Sequence, residues 1–399
     1  MRFRHPDSST VHLAYCTNVH PAEDLDGVVA QLEGCASDVR AELGVPVLGV
    51  GLWLAHDLAA LLARDPASLK RLAGTLDDCG LEAVTLNGFP YAGFHDEVVG
   101  KKVYLPDWSQ PERLAYTLDL VEVLAQLMPA DAAYGSISTL PLGWRTPWYA
   151  DRDRRARDAV AQLANRLQEV EQRTGRVIRV GLEPEPGCVI ETNAQVADWL
   201  SAYDDSVRDG VLDRVGGCVD TCHLAVQFEQ PAQVFADLET AGVSVVKSQV
   251  SAALHVPDPA DAETRVLLAE FAEPRFLHQT REGGGRRLRG VDDLSETLDP
   301  AARRQLPGRH PWRVHFHVPV HAAPQPPLTA TTDVLSDALT ELVGGEHPRT
   351  HHLESETYTW SVLPERQRPS DGAELAAGIA GELGWLRDRL VSLGLEPVG

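Results

Sequence analysis

The chain has 399 residues, 43% hydrophobic and 24% charged, a composition that suits a globular protein with a large core and needs no stapling. Its 58 acidic and 36 basic side chains leave a formal charge of −22, and the densest basic stretches, 152–157 and 281–289, are short and diluted, which argues against nucleic acid and against an anionic membrane surface. Six cysteines without CxxC spacing argue against a zinc ribbon or a thioredoxin-like motif, and no apolar run nears the roughly 18 residues of a membrane span, so a reducing cytoplasm is the expected location.

Short apolar runs alternate with longer amphipathic ones along the chain. Eight strands are expected at 12–16, 47–54, 83–88, 134–140, 179–183, 217–220, 244–249 and 351–356. Between them, 158–170 places Ala159, Val160, Leu163, Leu167 and Val170 on one helical face. Ser109 with Glu112 and Thr192 with Gln195 read as capping boxes that open two helices. Continuous apolar strands interleaved with helices imply a parallel sheet covered on both faces. The Gly-rich turn of an open doubly wound sheet is missing, so the α/β fold expected is a (β/α)₈ TIM barrel, one domain over 1–399.

One region breaks the rhythm. Residues 252–347, between the seventh and eighth strands, are rich in Pro and Gly and hold two strand-like runs, 275–280 and 313–320. They are expected to form an inserted hairpin or lid over the mouth of the barrel, since insertions usually follow strands at the catalytic end.

Each of the last four strands ends in polar residues that are costly to bury: Glu183 and Glu185, Asp220 and His223, Lys247 and Gln249, Glu354 and Glu356. A lone Glu after a strand is ordinarily a helix cap or a loop salt bridge. Carboxylates converging from several strand ends would instead repel one another, and a cation resolves that. Oxygen-rich donors with one or two nitrogens suit Mn, Co, Zn or Mg.

The runs LEPEP, VDTCH and LESETY resemble the xylose isomerase-like barrel superfamily of sugar isomerases and epimerases. More narrowly, LAYCTNVHP, FLHQT, HFHVPV and ESETYTW together resemble the TIM-barrel member of the bacterial Ebo cluster, metabolite traffic protein E; these segments reach from residue 13 to residue 360. The resemblance implies Glu183, Asp220 and Glu354 as metal ligands and His223 as a contact to a substrate oxygen. It departs on strand seven, where superfamily members usually supply a histidine and this chain has Lys247, Ser248 and Gln249. Alternation puts Lys247 and Gln249 on one face, and Gln249 can coordinate through its carbonyl oxygen. An ammonium from Lys247 could also stand in the metal's place. The insertion offers nitrogens of its own in His278, His315 and His317, the last two turned the same way by alternation; an edge strand with exposed histidines, which Pro319 would suit, is the alternative.

The function this implies is a divalent-metal-dependent isomerase or epimerase acting on a sugar or related polyol. Glu183 and Glu354 would exchange a proton beside the carbonyl, with Glu185 or Glu356 as a freer carboxylate, and Glu185, His223, Lys247, His278, His317 and Glu356 would contact the ligand. The alternative is a metabolite-binding or traffic protein with a relic isomerase pocket and no turnover. The superfamily's abasic-DNA endonuclease is opposed by the charge, and a retaining glycosidase by the absence of a carboxylate in SISTLPLGW after strand four. Trp53, Phe89, Tyr91, Trp144 and Trp360 are candidate stacking walls. Superfamily members are often dimers or tetramers, and no heptad or distinctive apolar face decides between a homo-oligomer and a monomer here.

Overall fold

The computed structural model describes residues 1–285, 287–299, 301 and 306–398. In chain order the strands are β1 (Arg2–Arg4), β2 (Thr10–Cys16), β3 (Leu48–Trp53), β4 (Leu81–Asn87), β5 (Gly135–Thr139), β6 (Ile178–Leu182), β7 (Val215–Asp220) and β8 (Val245–Val250). They continue as β9 (Ala252–Val256), β10 (Thr280–Glu282), β11 (Arg289–Val291), β12 (Trp312–Val318), β13 (Thr329–Ala330), β14 (His352–Ser355) and β15 (Glu396–Val398).

Eight of these, β2 to β8 and β14, run parallel, and pairing of His352 with His12 through Ser355 with Tyr15 closes them into a barrel. Each of the eight expected strands coincides with one of them. All six residues of β3, β7 and β8 are buried, as expected for strands covered on both faces. The flanking helices follow from their sequences. Ala150–Thr174 buries Ala156, Val160, Leu163, Ala164, Leu167 and Val170, and stops at Gly175, whose φ of 70° is left-handed. Thr192 and Gln195 form the expected capping box. Ser109 does not cap: Pro111, with its fixed φ and missing N–H, takes the first helical position, so Gln110 becomes the N-cap and the Ser109 hydroxyl bonds Asp107 instead. Among the described residues no helix is long and apolar enough to cross a membrane.

The segment between β8 and β14 holds more strand than expected. Five strands form an antiparallel sheet in the order β11-β10-β12-β9-β13. The run expected at 275–280 becomes strand only from Thr280; before it, the side chain of Glu273 caps the amides of Arg275 and Phe276, holding a turn. The run at 313–320 is β12, which ends before Pro319 and lies inside the sheet rather than at its edge. Only Ser251 separates β8 from β9, so the second sheet springs directly from the barrel's C-terminal end. Residues 286, 300 and 302–305 of the expected insertion lie outside the described residues.

Candidate functional site

Asp220 is the last residue of β7 and caps the helix Thr221–Val226. Its Oδ1 accepts the backbone N–H of Cys222 (2.7 Å) and His223 (3.0 Å) and the Ser251 hydroxyl (2.9 Å). This places His223 in the first helical turn, where Nδ1 donates to the carbonyl of Pro184 (2.9 Å), just beyond β6. From the second sheet, alternation along β12 brings His315 and His317 to the same side, while Phe316 turns away onto Phe271. His317 Nδ1 donates to the Glu356 carbonyl (2.5 Å). Its Nε2 lies 3.9 Å from Asp220 Oδ2, and both atoms are buried with no hydrogen-bond partner among the described residues.

Glu356, one residue past β14, is held by the side-chain amides of Asn18 (2.7 Å) and Asn87 (2.8 Å), which both donate to Oε1. Glu183, Asp220 and Glu356 each offer an oxygen within 4.8 Å of the others. Burial, reinforced by repulsion between neighbouring carboxylates, pushes Glu183 and Glu356 well above the usual carboxylate range. Burial pushes Asp220 the same way, but His223, His317 and its hydrogen bonds outweigh that and hold it below its ordinary value.

Glu354, an expected ligand, does not join this group. Glu354 is paired with Lys247, both fully buried, and also accepts from Thr85 (3.4 Å). Gly51 on β3 makes room for it, since a Cβ there would collide with the Glu354 carboxylate. Burial opposes charge on Lys247, yet Glu354 holds its pKa above the ordinary value. Gln249 is level with Asp220 and Glu354 across the sheet, and neither atom of its amide has a hydrogen-bond partner among the described residues. His278 also differs from expectation. Its Nδ1 bonds the His315 carbonyl (3.0 Å) and its Nε2 bonds Glu273 (3.0 Å), so it braces β12 from outside the cavity. The next residue, Gln279, reaches the site instead.

Above the carboxylates a small cavity of about 50 Å³ opens, with Glu183, Glu185, His223, His315 and Glu356 at its polar end and Phe89, Phe94, Tyr104, Phe276 and Tyr358 on its walls. Of the expected aromatic walls only Phe89 takes part. Trp53 donates to the Pro90 carbonyl, Tyr91 stacks on His56, Trp144 packs on Tyr104 under Lys101, and Trp360 donates to Glu382. Glu185 accepts from the Tyr104 hydroxyl (2.7 Å) and from Gln279 Nε2 (3.0 Å), and burial raises it to about 7. Gln279 Oε1 in turn accepts from His315 Nδ1 (2.7 Å). Burial lowers His223 to about 4 and holds His315 well below the ordinary histidine value.

No protein-family model matches the chain, and no curated protein matches its sequence. Solved structures do match. A candidate sugar phosphate isomerase/epimerase from Anabaena variabilis superposes with a TM-score of 0.51 and 14% identity, over 97% of this chain and 100% of its own. The IolI protein with a bound zinc atom matches at 0.45 and 13%, over 96% and 99%, and a D-tagatose 3-epimerase-like protein at 0.45 and 13%, over 96% and 98%. What the first of these shares is the fold.

Asn18, Asn87, Tyr104, Gln279 and Tyr358 were not singled out by sequence reasoning. Asn18, Gln279 and Tyr358 sit inside the quoted segments LAYCTNVHP, FLHQT and ESETYTW, but nothing local marks which residue of each segment faces the barrel axis.

Proposed function

We propose that Glu183, Asp220, His317 and Glu356 hold a divalent cation, one of Mn, Co, Zn or Mg, and that the barrel isomerises or epimerises a sugar or related polyol. The observation that carries this is the buried triad Glu183, Asp220 and Glu356, beside the unpaired Asp220 Oδ2 and His317 Nε2. Buried acceptors without donors are costly, and a cation satisfies both at once. His317 also has the arrangement of a metal-ligating histidine, with Nδ1–H committed to a backbone carbonyl and the Nε2 lone pair free. In this reading the nitrogen absent from strand seven comes from β12, and Glu356 takes the place expected of Glu354.

When bound, the ion would polarise a carbonyl and an adjacent hydroxyl of the ligand. The chain's own residues would do the rest. Glu183 and Glu356, three strands apart around the barrel, take a proton from the carbon beside the carbonyl and return it. Asn18 and Asn87 fix one oxygen of Glu356 and so orient it. The aromatic walls exclude water and cover the C–H faces of the ligand. The second sheet serves as the lid, and His315 and His317 are its contribution to the site.

The test is proton exchange in D₂O. Protein loaded with Mn²⁺ or Co²⁺ is given a panel of ketoses and aldoses, and deuterium beside the carbonyl is followed by NMR. Wild type should exchange and slowly form an isomer or epimer; Glu183→Gln and Glu356→Gln should each lose about 10²–10⁴-fold. Exchange at the wild-type rate in Glu356→Gln would overturn the assignment. Loaded protein inert towards the whole panel would point to ligand binding without turnover.

A further inference from the structure

We infer that His223 and His315, with Glu185, form a second cation site beside the first, suited to a borderline ion such as Zn²⁺ or Co²⁺. The Nε2 atoms of the two histidines lie 3.1 Å apart. Their other nitrogens are already committed. His223 Nδ1 faces the Pro184 carbonyl, which can only accept, so the proton sits on Nδ1 and Nε2 presents a lone pair. His315 Nδ1 faces Gln279 Oε1, and the orientation of that amide is fixed because its Nε2 donates to Glu185. His315 Nε2 therefore presents a lone pair as well.

Two lone pairs facing one another at this distance repel; the Tyr358 hydroxyl, 3.3 Å from His315 Nε2, can donate to that nitrogen but leaves the His223 lone pair facing it. A proton between them would create an imidazolium in a fully buried place, which desolvation opposes. A cation is the other resolution. Two nitrogens each about 2.0–2.1 Å from one ion and 3.1 Å from each other subtend roughly 100° at it, within the range of tetrahedral zinc. Glu185 is the nearest carboxylate to act as third donor: its Oε1 lies 3.4 Å from His315 Nδ1, and one of its oxygens lies within 4.8 Å of a nitrogen of each histidine, so a turn of its side chain would bring it to an ion between the Nε2 atoms. The cavity adjoins all three residues, which leaves a coordination position for a ligand. Asp220 and His317 also lie within 4.8 Å of His223, so two bound ions would be neighbours, as in sites where metals about 4 Å apart share a substrate.

The experiment is a stoichiometry. Full-length protein without a histidine tag is stripped with chelator, titrated with Zn²⁺ and desalted, and bound metal is measured by inductively coupled plasma mass spectrometry. The same titration with Co²⁺ is followed by visible absorption. Wild type should hold two equivalents, and His315→Gln and His223→Gln should each hold one, with an unchanged near-ultraviolet circular dichroism spectrum. Asp220→Asn tests the carboxylate site separately: if it alone leaves the metal content unchanged, the first site fails and the histidine site stands. No metal in wild type overturns the inference, and so does a single equivalent that His315→Gln retains. Loss of all metal in both folded His315→Gln and folded Asp220→Asn overturns it as well, because the histidines would then belong to a single shared site.

Discussion

Glu354 and Glu356 lie two residues apart, so alternation turns both towards the barrel axis, and the sequence alone gives no ground for choosing between them. Closure of the barrel makes the choice. Lys247 and Gln249 both face inward, as their spacing requires, yet Lys247 is level with Cys218, two residues before the level of Asp220, and meets Glu354 there. The ammonium thus neutralises the deeper carboxylate and leaves the outer ones to the cavity. Gly51, as β3 passes Glu354, is the residue that makes this possible, and its role is invisible until strands from opposite ends of the sequence are brought together. A fully buried ion pair is strongly coupled: Lys247→Met should cost about 3–5 kcal/mol, because it leaves a carboxylate buried alone. The double variant Lys247→Met/Glu354→Leu should recover most of that loss, since two apolar chains need no partner. Urea denaturation of the three proteins checks both statements; a double variant no more stable than Lys247→Met would show that the pair does not act as a unit.

Helices and barrel strands were the most legible elements, because each carries its own periodic signal. The amphipathic face expected at 158–170 lies wholly within Ala150–Thr174, and the Thr192–Gln195 box forms with both reciprocal bonds. That box begins a helix whose first turn is also tied to Glu229 through the backbone and side chain of Asn193. Thr192→Ala should therefore cost about 1 kcal/mol in stability, by losing the acceptor for the Gln195 amide, and leave metal content unchanged. A loss below a few tenths of a kcal/mol in chemical denaturation would mean that Glu229 suffices as the cap. The second sheet was legible only in part. Strands of two or three residues, such as β10, β11 and β13, carry too few side chains to display a period, and Pro319 misleadingly suggested an edge. What holds β12 in the interior of its sheet is pairing with β9 and β10, a non-local fact.

At the scale of the whole molecule, two sources of pH dependence point the same way. The formal charge of −22 at pH 7 opposes compaction, and the opposition grows as pH rises from the isoelectric point near 5.0. Buried carboxyls add to it. Glu382, which accepts from Thr357, Trp360 and the Val320 amide, is raised to about 7 by burial, and so is Glu229. A carboxyl that holds its proton up to about 7 when folded, but releases it near 4.5 when unfolded, contributes stability that is fully present below 4.5. That contribution fades as pH climbs to 7. Glu82 works in the opposite sense: burial raises it, but hydrogen bonds from His12 and Arg2 bring it to about 2, so its contribution is lost only as pH falls below 4.5. Chelator-stripped protein should accordingly lose thermal stability between pH 5.5 and 7, each raised carboxyl, Glu185 in the cavity included, adding up to about 1.4 kcal/mol per pH unit. Salt separates the causes, since about 0.5 M NaCl screens the surface charge but barely reaches the buried groups. In that salt the wild-type slope should persist, and Glu382→Gln, which has nothing to titrate there, should reduce it by the share of that one carboxyl. A melting temperature independent of pH at high salt, or an unchanged slope in Glu382→Gln, would show that these buried acids are ionised throughout and that surface repulsion alone sets the dependence.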